Sequence, residues 1–235
     1  MQIGGISVEV VRKNIKNLHL GVYPPSGRVR LAAPLHLDED AVRLAVVTRL
    51  GWIRRRRQEF EQQERQSRRE LVTGESHYFR GRRYRLRVVE HDGPPSVRIV
   101  GKTRLELTVR TGSDRARRAS VLEGWYRSQV LDAAQNLLEP WESKVGVAVK
   151  DLRVRRMKTR WGSCNVDEGR IWLNTELAKK PPKCVEYILV HEMVHLVERR
   201  HTERFRALMD AFMPSWRLHR DELNRAPLAH EDWGY

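Results

Sequence analysis

The chain is poor in cysteine: its 235 residues hold two, Cys164 and Cys184, too far apart for a Cys-x-x-Cys pair. That excludes a disulfide framework and fits buried thiols in a reducing compartment. Long apolar runs are missing too. Nothing approaches the roughly eighteen residues of a membrane span, and the opening MQIGGISVEVVRK lacks the apolar core of a signal peptide. A cytoplasmic protein without a membrane partner is expected. No internal repeat, low-complexity linker or glycine-rich phosphate cradle occurs. Acid is the last shortage, with 30 Asp and Glu against 45 Lys and Arg, a net charge of +15.

The basic surplus is uneven. Residues 1–115 hold 24 basic against 13 acidic side chains, a difference of +11; residues 116–235 hold 21 against 17, a difference of +4. It is almost all arginine, gathered at Arg54–Arg57, at Arg65, Arg68 and Arg69, and at Arg80, Arg82, Arg83, Arg85 and Arg87. Such a patch attracts nucleic acid or acidic substrates. The plain alternative is a solvated helix face and an exposed strand in a protein of arginine-rich coding bias. Weak, salt-sensitive nucleic-acid binding that ignores sequence is the most that this half is expected to show.

Against this background stands His191-Glu192-Met193-Val194-His195, followed by His201. Residues i and i+4 of an α-helix lie on one face, so His191 and His195 can aim two imidazoles at one metal ion. Glu192, about 100° round the helix, stands where a general base reaches a metal-bound water without occupying the metal. A HExxH pattern arises by accident in roughly 3 of 100 chains of this composition, and a third His at one fixed spacing lowers that to about one in a thousand. In a continuous helix His201 would lie about 15 Å along the axis from His191. The helix must therefore stop between Val197 and Arg200 and the chain must turn back; Thr202 with Glu203 suits the start of a new helix. Glu198, on the same face three residues after His195, is the rival third ligand, because His, His, Glu is also a zinc set. Three ligands on two turns of one straight helix would span about 10 Å, which favours His201. The pattern reads as a zinc hydrolase.

The surroundings agree. Pro181-Pro182 suits a first helical turn, and from Val185 to Val197 the segment is apolar on most sides, as in a buried helix. One stripe departs from this: Cys184, Tyr187, His191, His195 and Glu198. Burying imidazoles and a carboxylate costs several kcal/mol unless they are paired or bind an ion, and metal coordination explains the stripe. Cys184, about 10 Å along the axis from His191, is not a ligand.

Along the chain, Ile6–Arg12, Leu18–Tyr23 and Val29–Leu35 read as a small antiparallel sheet, with Pro24-Pro25-Ser26-Gly27 as a tight connection. Asp38-Glu39-Asp40 caps a helix of about thirty residues from Ala41 to near Arg69. Strands follow at Tyr78–Val89, with Gly81 in a turn, and at Val97–Arg110, separated by Asp92-Gly93-Pro94-Pro95. A second helix, capped by Ser113 or Asp114, runs from Ala116 to Glu139 and ends before Pro140. Strands at Leu152–Lys158 and Arg170–Asn174 flank a hairpin at Asp167-Glu168-Gly169; helices close the chain at Thr202–Phe212 and Arg217–Asn224.

These residues resemble the YgjP-like metallopeptidases, a zincin group related in its motif to the SprT-like proteases. The resemblance runs from Gly27-Arg28-Val29-Arg30, through Gly51-Trp52-Ile53 and Gly81-Arg82-Arg83-Tyr84-Arg85-Leu86, to Met157-Lys158-Thr159-Arg160-Trp161-Gly162-Ser163-Cys164. It continues through Asn174, Pro181-Pro182 and Tyr187 to the histidine motif, Phe205 and Pro214. It implies zinc ligands at His191, His195 and His201 with Glu192 as base. Family members often carry Ser and Trp where this chain has Thr202 and Arg206. The histidine spacing also equals that of metzincins, which place Gly at the position of Glu198; Gly permits a positive-φ turn, so Glu198 speaks against that geometry. The fold implied is α+β: a β-rich region with one long helix over residues 1–115, packed on a zincin-like helical domain over 116–235 that carries a small antiparallel sheet.

The expected function is a zinc-dependent metallohydrolase, a peptidase cutting peptide or protein substrates with Glu192 activating a zinc-bound water. A substrate strand can be imagined on a sheet edge near Arg170–Asn174. Two alternatives stand beside it. One is a metal-dependent nucleotide or phosphoester hydrolase, weakened by the missing phosphate cradle. The other is a nucleic-acid-associated module with a structural zinc, which needs a fourth ligand, and Cys164 is the only candidate. Trp161-Gly162-Ser163-Cys164 either borders the metal or is structural, with Trp161 and Cys164 buried and Gly162 in a bulge; the structural reading is preferred.

Overall fold

A computed structural model describes residues 1–23, 27–62, 69–157 and 160–225. The chain falls into two compact units that part between Arg68 and Arg69. The sequence suggested 115/116 instead. The earlier division has a physical basis: the apolar faces of the strands that follow Arg69 share one core with the histidine helix.

In the first unit, strands β1 (Gln2–Ile3), β2 (Ile6–Lys13), β3 (His19–Tyr23) and β4 (Arg28–Pro34) form a sheet in the order β1-β2-β4-β3. Ile6 and Val8 on β2 and Val29, Leu31 and Ala33 on β4 alternate into a core. Val42 and Val46 of α1 (Glu39–Val47) and Ile53 of α2 (Leu50–Gln62) complete it. The expected thirty-residue helix is two helices. Asp38 caps the first, accepting from Ala41 N at 2.7 Å, but the β-branched run Val46-Val47-Thr48 is a weak helix former. There the Thr48 hydroxyl donates to Ala45 O and Arg49 N donates to Val46 O, a tighter turn that breaks the cylinder. The expected connection at Pro24–Ser26 and the continuation through 63–68 lie outside the described residues.

The second unit holds two sheets. Strands β5 (Ser76–Phe79), β6 (Arg82–Glu90), β7 (Ser96–Val100) and β8 (Arg104–Val109) take the order β5-β6-β8-β7, and β9 (Asp151–Arg155), β10 (Gly162–Asn165) and β11 (Arg170–Asn174) take the order β10-β11-β9. The turn expected at Gly81 separates β5 from β6, whereas the stretch Val97–Arg110, read as one strand, is divided into β7 and β8 by a turn at Gly101–Thr103. None of the sheets is purely antiparallel: β2 runs parallel to β4, β6 to β8 and β9 to β11. The cause is one recurring topology. A strand is followed by a hairpin, and the hairpin's second arm, not its first, pairs with that strand.

Helix α3 (Arg115–Val145) is capped by Asp114, whose carboxylate accepts from Arg117 N at 2.8 Å. It runs through Pro140 rather than ending before it, and stops at Gly146, in the left-handed region at φ 76°. An internal proline costs about 3 kcal/mol. Opposing this, Trp141 and Val145 of the last turn are buried, the Trp141 indole donates to Glu186 at 3.2 Å, and Lys144 donates to Phe212 O at 2.6 Å. A 3-10 segment, Thr175–Lys179, then leads to α4 (Pro182–Val197), α5 (Glu203–Phe212) and α6 (Trp216–Arg225). No helix among the described residues is long and apolar enough to cross a membrane.

The β5–β6 turn fastens the larger sheet to the 3-10 segment. Its two central residues, Arg80 (φ 49°) and Gly81 (φ 76°), both have positive φ, as the tight hairpin turns that match strand twist require. Their amides donate to Ala178 O at 2.8 Å and Lys179 O at 3.1 Å, and a Cβ on Gly81 would stand 3.0 Å from Pro181. Gly81→Ala is therefore expected to destabilise the protein by about 1–3 kcal/mol. Gly124→Ala, at an open helical position in α3 with nothing within 4 Å, should stabilise it by about 0.5–1 kcal/mol. Urea denaturation of both variants checks the contrast; equal effects would remove the turn's special standing.

Candidate metal centre

Helix α4 begins with Pro182 in its first turn and is buried at Cys184, Val185, Tyr187, Ile188, Leu189, Val190, Met193 and Val194. Its last helical residue is Val197. Glu198 is extended (φ −136°, ψ 104°), while its amide still donates to Val194 O at 2.9 Å. No residue between 198 and 202 has a positive φ, so the chain reverses without glycine. Thr202 then caps α5, accepting from Phe205 N at 3.3 Å.

The reversal brings His201 back to His191 and His195. One ring nitrogen from each of the three lies within 4.8 Å of the others, and His191 Nε2 is 3.0 Å from His201 Nε2. Tetrahedral zinc with Zn–N bonds near 2.0–2.1 Å sets its nitrogens about 3.3 Å apart, so the spacing suits one small cation. Phe205 lies against all three rings, with centroids 4.9, 4.7 and 4.7 Å away. His195 Nδ1 is 3.1 Å from Glu198 O. A proton donated there leaves Nε2 as the open lone pair, the usual way a ligating imidazole is oriented. His191 Nδ1 is buried with no hydrogen-bond partner. Burial and the neighbouring rings lower His191 to about 3, and burial lowers His195 as well. Both rings are thus neutral at pH 7, as metal ligands must be. His201 is exposed, so the cluster opens to solvent on that side.

Glu198 and the two cysteines do not join the cluster. Glu198 contributes its carbonyl to His195, while Cys184 is buried in the core. Cys164 is half-buried on β10, its thiol pushed up to about 11 by burial and by the charge of Glu192.

Glu192 is buried, and desolvation pushes its carboxyl up to about 8 while Arg160 pulls it the other way. What makes room for it is Gly162. A Cβ there would stand 2.6 Å from Glu192 Oε1 and 2.8 Å from Ile188 Cγ2. The glycine of the Trp-Gly-Ser-Cys block thus lets strand β10 close on α4 at the carboxylate, instead of forming a bulge. Asn174 holds the chain that leads to this contact. Its amide donates to Met157 O at 2.8 Å and Arg160 O at 2.7 Å, and its Oδ1 accepts from Met157 N and Glu176 N. Lys158 and Thr159 of the same block lie outside the described residues. Sequence reasoning named Gly162, Asn174 and Phe205 without these roles; a buried carboxylate needing a side-chain-free neighbour was the available signal. The sheet edge expected at Arg170–Asn174 does not exist, because β11 is the middle strand, paired to β9 and β10. The edge that adjoins α4 belongs to β10.

The family model of the YgjP-like metallopeptidase domain matches residues 16–226. Among solved structures, the metallopeptidase zymogen of Pyrococcus abyssi, abylysin, is similar at 23% identity, with a TM-score of 0.35, over 38% of this chain and 90% of that one. No curated protein matches.

The contact at Gly162 generates its own test. Gly162→Ala must displace Glu192 or the strand, and overpacking of this kind costs about 1–3 kcal/mol. The three rings are untouched, so metal uptake measured by elemental analysis should stay within twofold of the parent while the unfolding midpoint drops. A variant as stable as the parent would mean that β10 does not press on Glu192.

Proposed function

The chain belongs to the YgjP-like metallopeptidase family, and from there we propose that it is a zinc-dependent peptidase in which His191, His195 and His201 hold the ion and Glu192 is the general base. The observation that carries this reading is the return of His201 to the His191–His195 pair, which gathers three imidazole nitrogens within 4.8 Å and includes no fourth protein ligand among the described residues. A closed structural zinc site has four protein ligands; a catalytic one has three and keeps a position open. The His195–Glu198 carbonyl contact fits an imidazole whose other nitrogen faces an ion.

A bound zinc ion would supply a Lewis acid that lowers the pKa of water at the open position and polarises a scissile carbonyl. The remaining work falls to residues of the chain. Glu192, next to the first histidine and walled off from solvent by β10, takes the proton of the attacking water and returns it to the leaving amine. Its burial strengthens every charge interaction it makes. Desolvation raises its carboxyl to about 8 against the pull of Arg160, and the positive charge of a bound ion would add to Arg160 in favouring the ionised form a base needs. The free edge of β10, at Gly162–Asn165, offers backbone groups for an extended substrate to pair with, so peptide or protein is the substrate class.

Glu192→Gln keeps size and packing but removes the base. Zinc content by elemental analysis should be unchanged, while peptide hydrolysis falls by a factor of about 10² to 10⁴. Activity that survives with zinc bound would refute the assignment; expulsion of zinc would move Glu192 into the metal shell. His191→Ala, His195→Ala and His201→Ala should each lose most of the metal, and full retention in His201→Ala would return Glu198 to contention.

A further inference from the structure

The geometry points to the outer face of the β5-β6-β8-β7 sheet as a binding surface for the phosphate backbone of nucleic acid. Register decides which residues share this face. Leu86, Leu105, Leu107, Val97 and Ile99 pack inward on the core. Arg85 pairs across from Arg104, Arg87 from Glu106, Arg98 from Glu106 and Tyr78 from Arg83. The outward set therefore holds five arginines, Arg83, Arg85, Arg87, Arg98 and Arg104, and a single carboxylate.

That carboxylate is already engaged. Glu106 lies beneath Arg98, which donates to it at 2.8 Å, and 3.7 Å from Arg87. Its side chain is 8% exposed, against 53% for Arg87 and 70% for Arg98. Among the described residues no carboxylate pairs with Arg83, Arg85 or Arg104, all exposed. Arginine surplus set by coding bias alone would fall equally on the other sheet of the same strand order. It does not: on the first unit's sheet Glu9 lies 3.7 Å from Arg28 and 3.6 Å from Arg30, two arginines to one acid.

The spacing indicates what the face would take. Arg83, Arg85 and Arg87 recur every second residue of one strand, about 6.6–6.8 Å apart, and the neighbouring strand sets Arg104 about 4.8 Å to the side of Arg85. A row of guanidiniums at constant interval matches a polyanion whose phosphates also recur at constant interval, and the guanidinium fork suits phosphate oxygens. The face offers no exposed large apolar side chain to insert into a bilayer, which sets it apart from a membrane-docking surface. Its single aromatic in this row, Tyr78, gives no basis for base-specific reading, so affinity should follow charge and not sequence.

The test is fluorescence anisotropy of the full chain with a labelled mixed-sequence oligonucleotide, single-stranded and as duplex, between 50 and 200 mM salt. Four phosphate contacts give a log–log slope of about −2.8 for single strands and −3.6 for duplex, an affinity loss of roughly 50- to 150-fold across that range. The triple variant Arg83→Ala/Arg85→Ala/Arg104→Ala should flatten the slope by about 0.7 per residue removed on single strands and about 0.9 on duplex. Arg54→Ala/Arg55→Ala in α2 should leave it unchanged. If the triple variant does not fold, as judged by its melting curve, Arg83→Gln alone should still flatten the slope by about 0.7 on single strands and about 0.9 on duplex. No binding at 50 mM salt, an unchanged slope in the sheet variants, or an equal loss in the α2 variant would overturn the proposal. So would arginine-dependent binding to anionic phospholipid vesicles as tight as to the oligonucleotide.

Discussion

On a straight helix an imidazole ten residues from another lies about 15 Å away along the axis. The three-histidine cluster therefore depends on α4 ending at Val197 and on the chain reversing within a few residues. Glu198 performs both parts of the reversal: its extended backbone ends the helix, and its carbonyl faces His195 Nδ1. Thr202 then restarts helical structure one residue past His201, which places Phe205 against all three rings. A turn that needed glycine would have left the backbone free to choose; this one is bounded on both sides by helix hydrogen bonds.

The second constraint is burial of a carboxylate. Glu192 lies in the interior, where its charged form is disfavoured, and strand β10 encloses it from above. The enclosure is only possible because Gly162 has no side chain. It is held in place by Asn174, a buried amide whose donors and acceptor are all used by the segment before β10 and the turn after β11. Pairing of strand and helix at this one point turns an ordinary helical glutamate into one with a strongly shifted proton affinity. The family match over residues 16–226 extends across all these positions.

Much of this was legible in the residues. The i, i+4 histidines, the forced stop near Val197 and the capping role of Thr202 follow from helix dimensions and hydroxyl chemistry, and the structure shows each of them. The α+β class followed from the family resemblance and the turn at Gly81 from glycine placement. What was not legible depends on pairing between distant segments. Local propensity cannot tell that β11 is central and β10 an edge, that Pro140 is outweighed by a buried Trp141, or that strands 76–109 share a core with α4. Gly162 illustrates the limit well: a bulge and a close helix approach both call for glycine, and only the partner distinguishes them.

The strand order shared by all three sheets also bears on how they assemble. In each, the hairpin partners are near in sequence: Tyr23 with Arg28, Val100 with Arg104, Asn165 with Arg170. The parallel partners are far: Lys13 with Pro34, Glu90 with Val109, Asp151 with Arg170. Loop-closure entropy grows as (3/2)RT ln n, so the parallel contact costs about 1.2 kcal/mol more to close than the hairpin. Each sheet is thus biased to grow from its hairpin outward, with the parallel strand docking on a surface already formed. For β9-β11-β10 the early piece is the hairpin that carries Gly162, so the wall that will enclose Glu192 is among the most local structures in the chain.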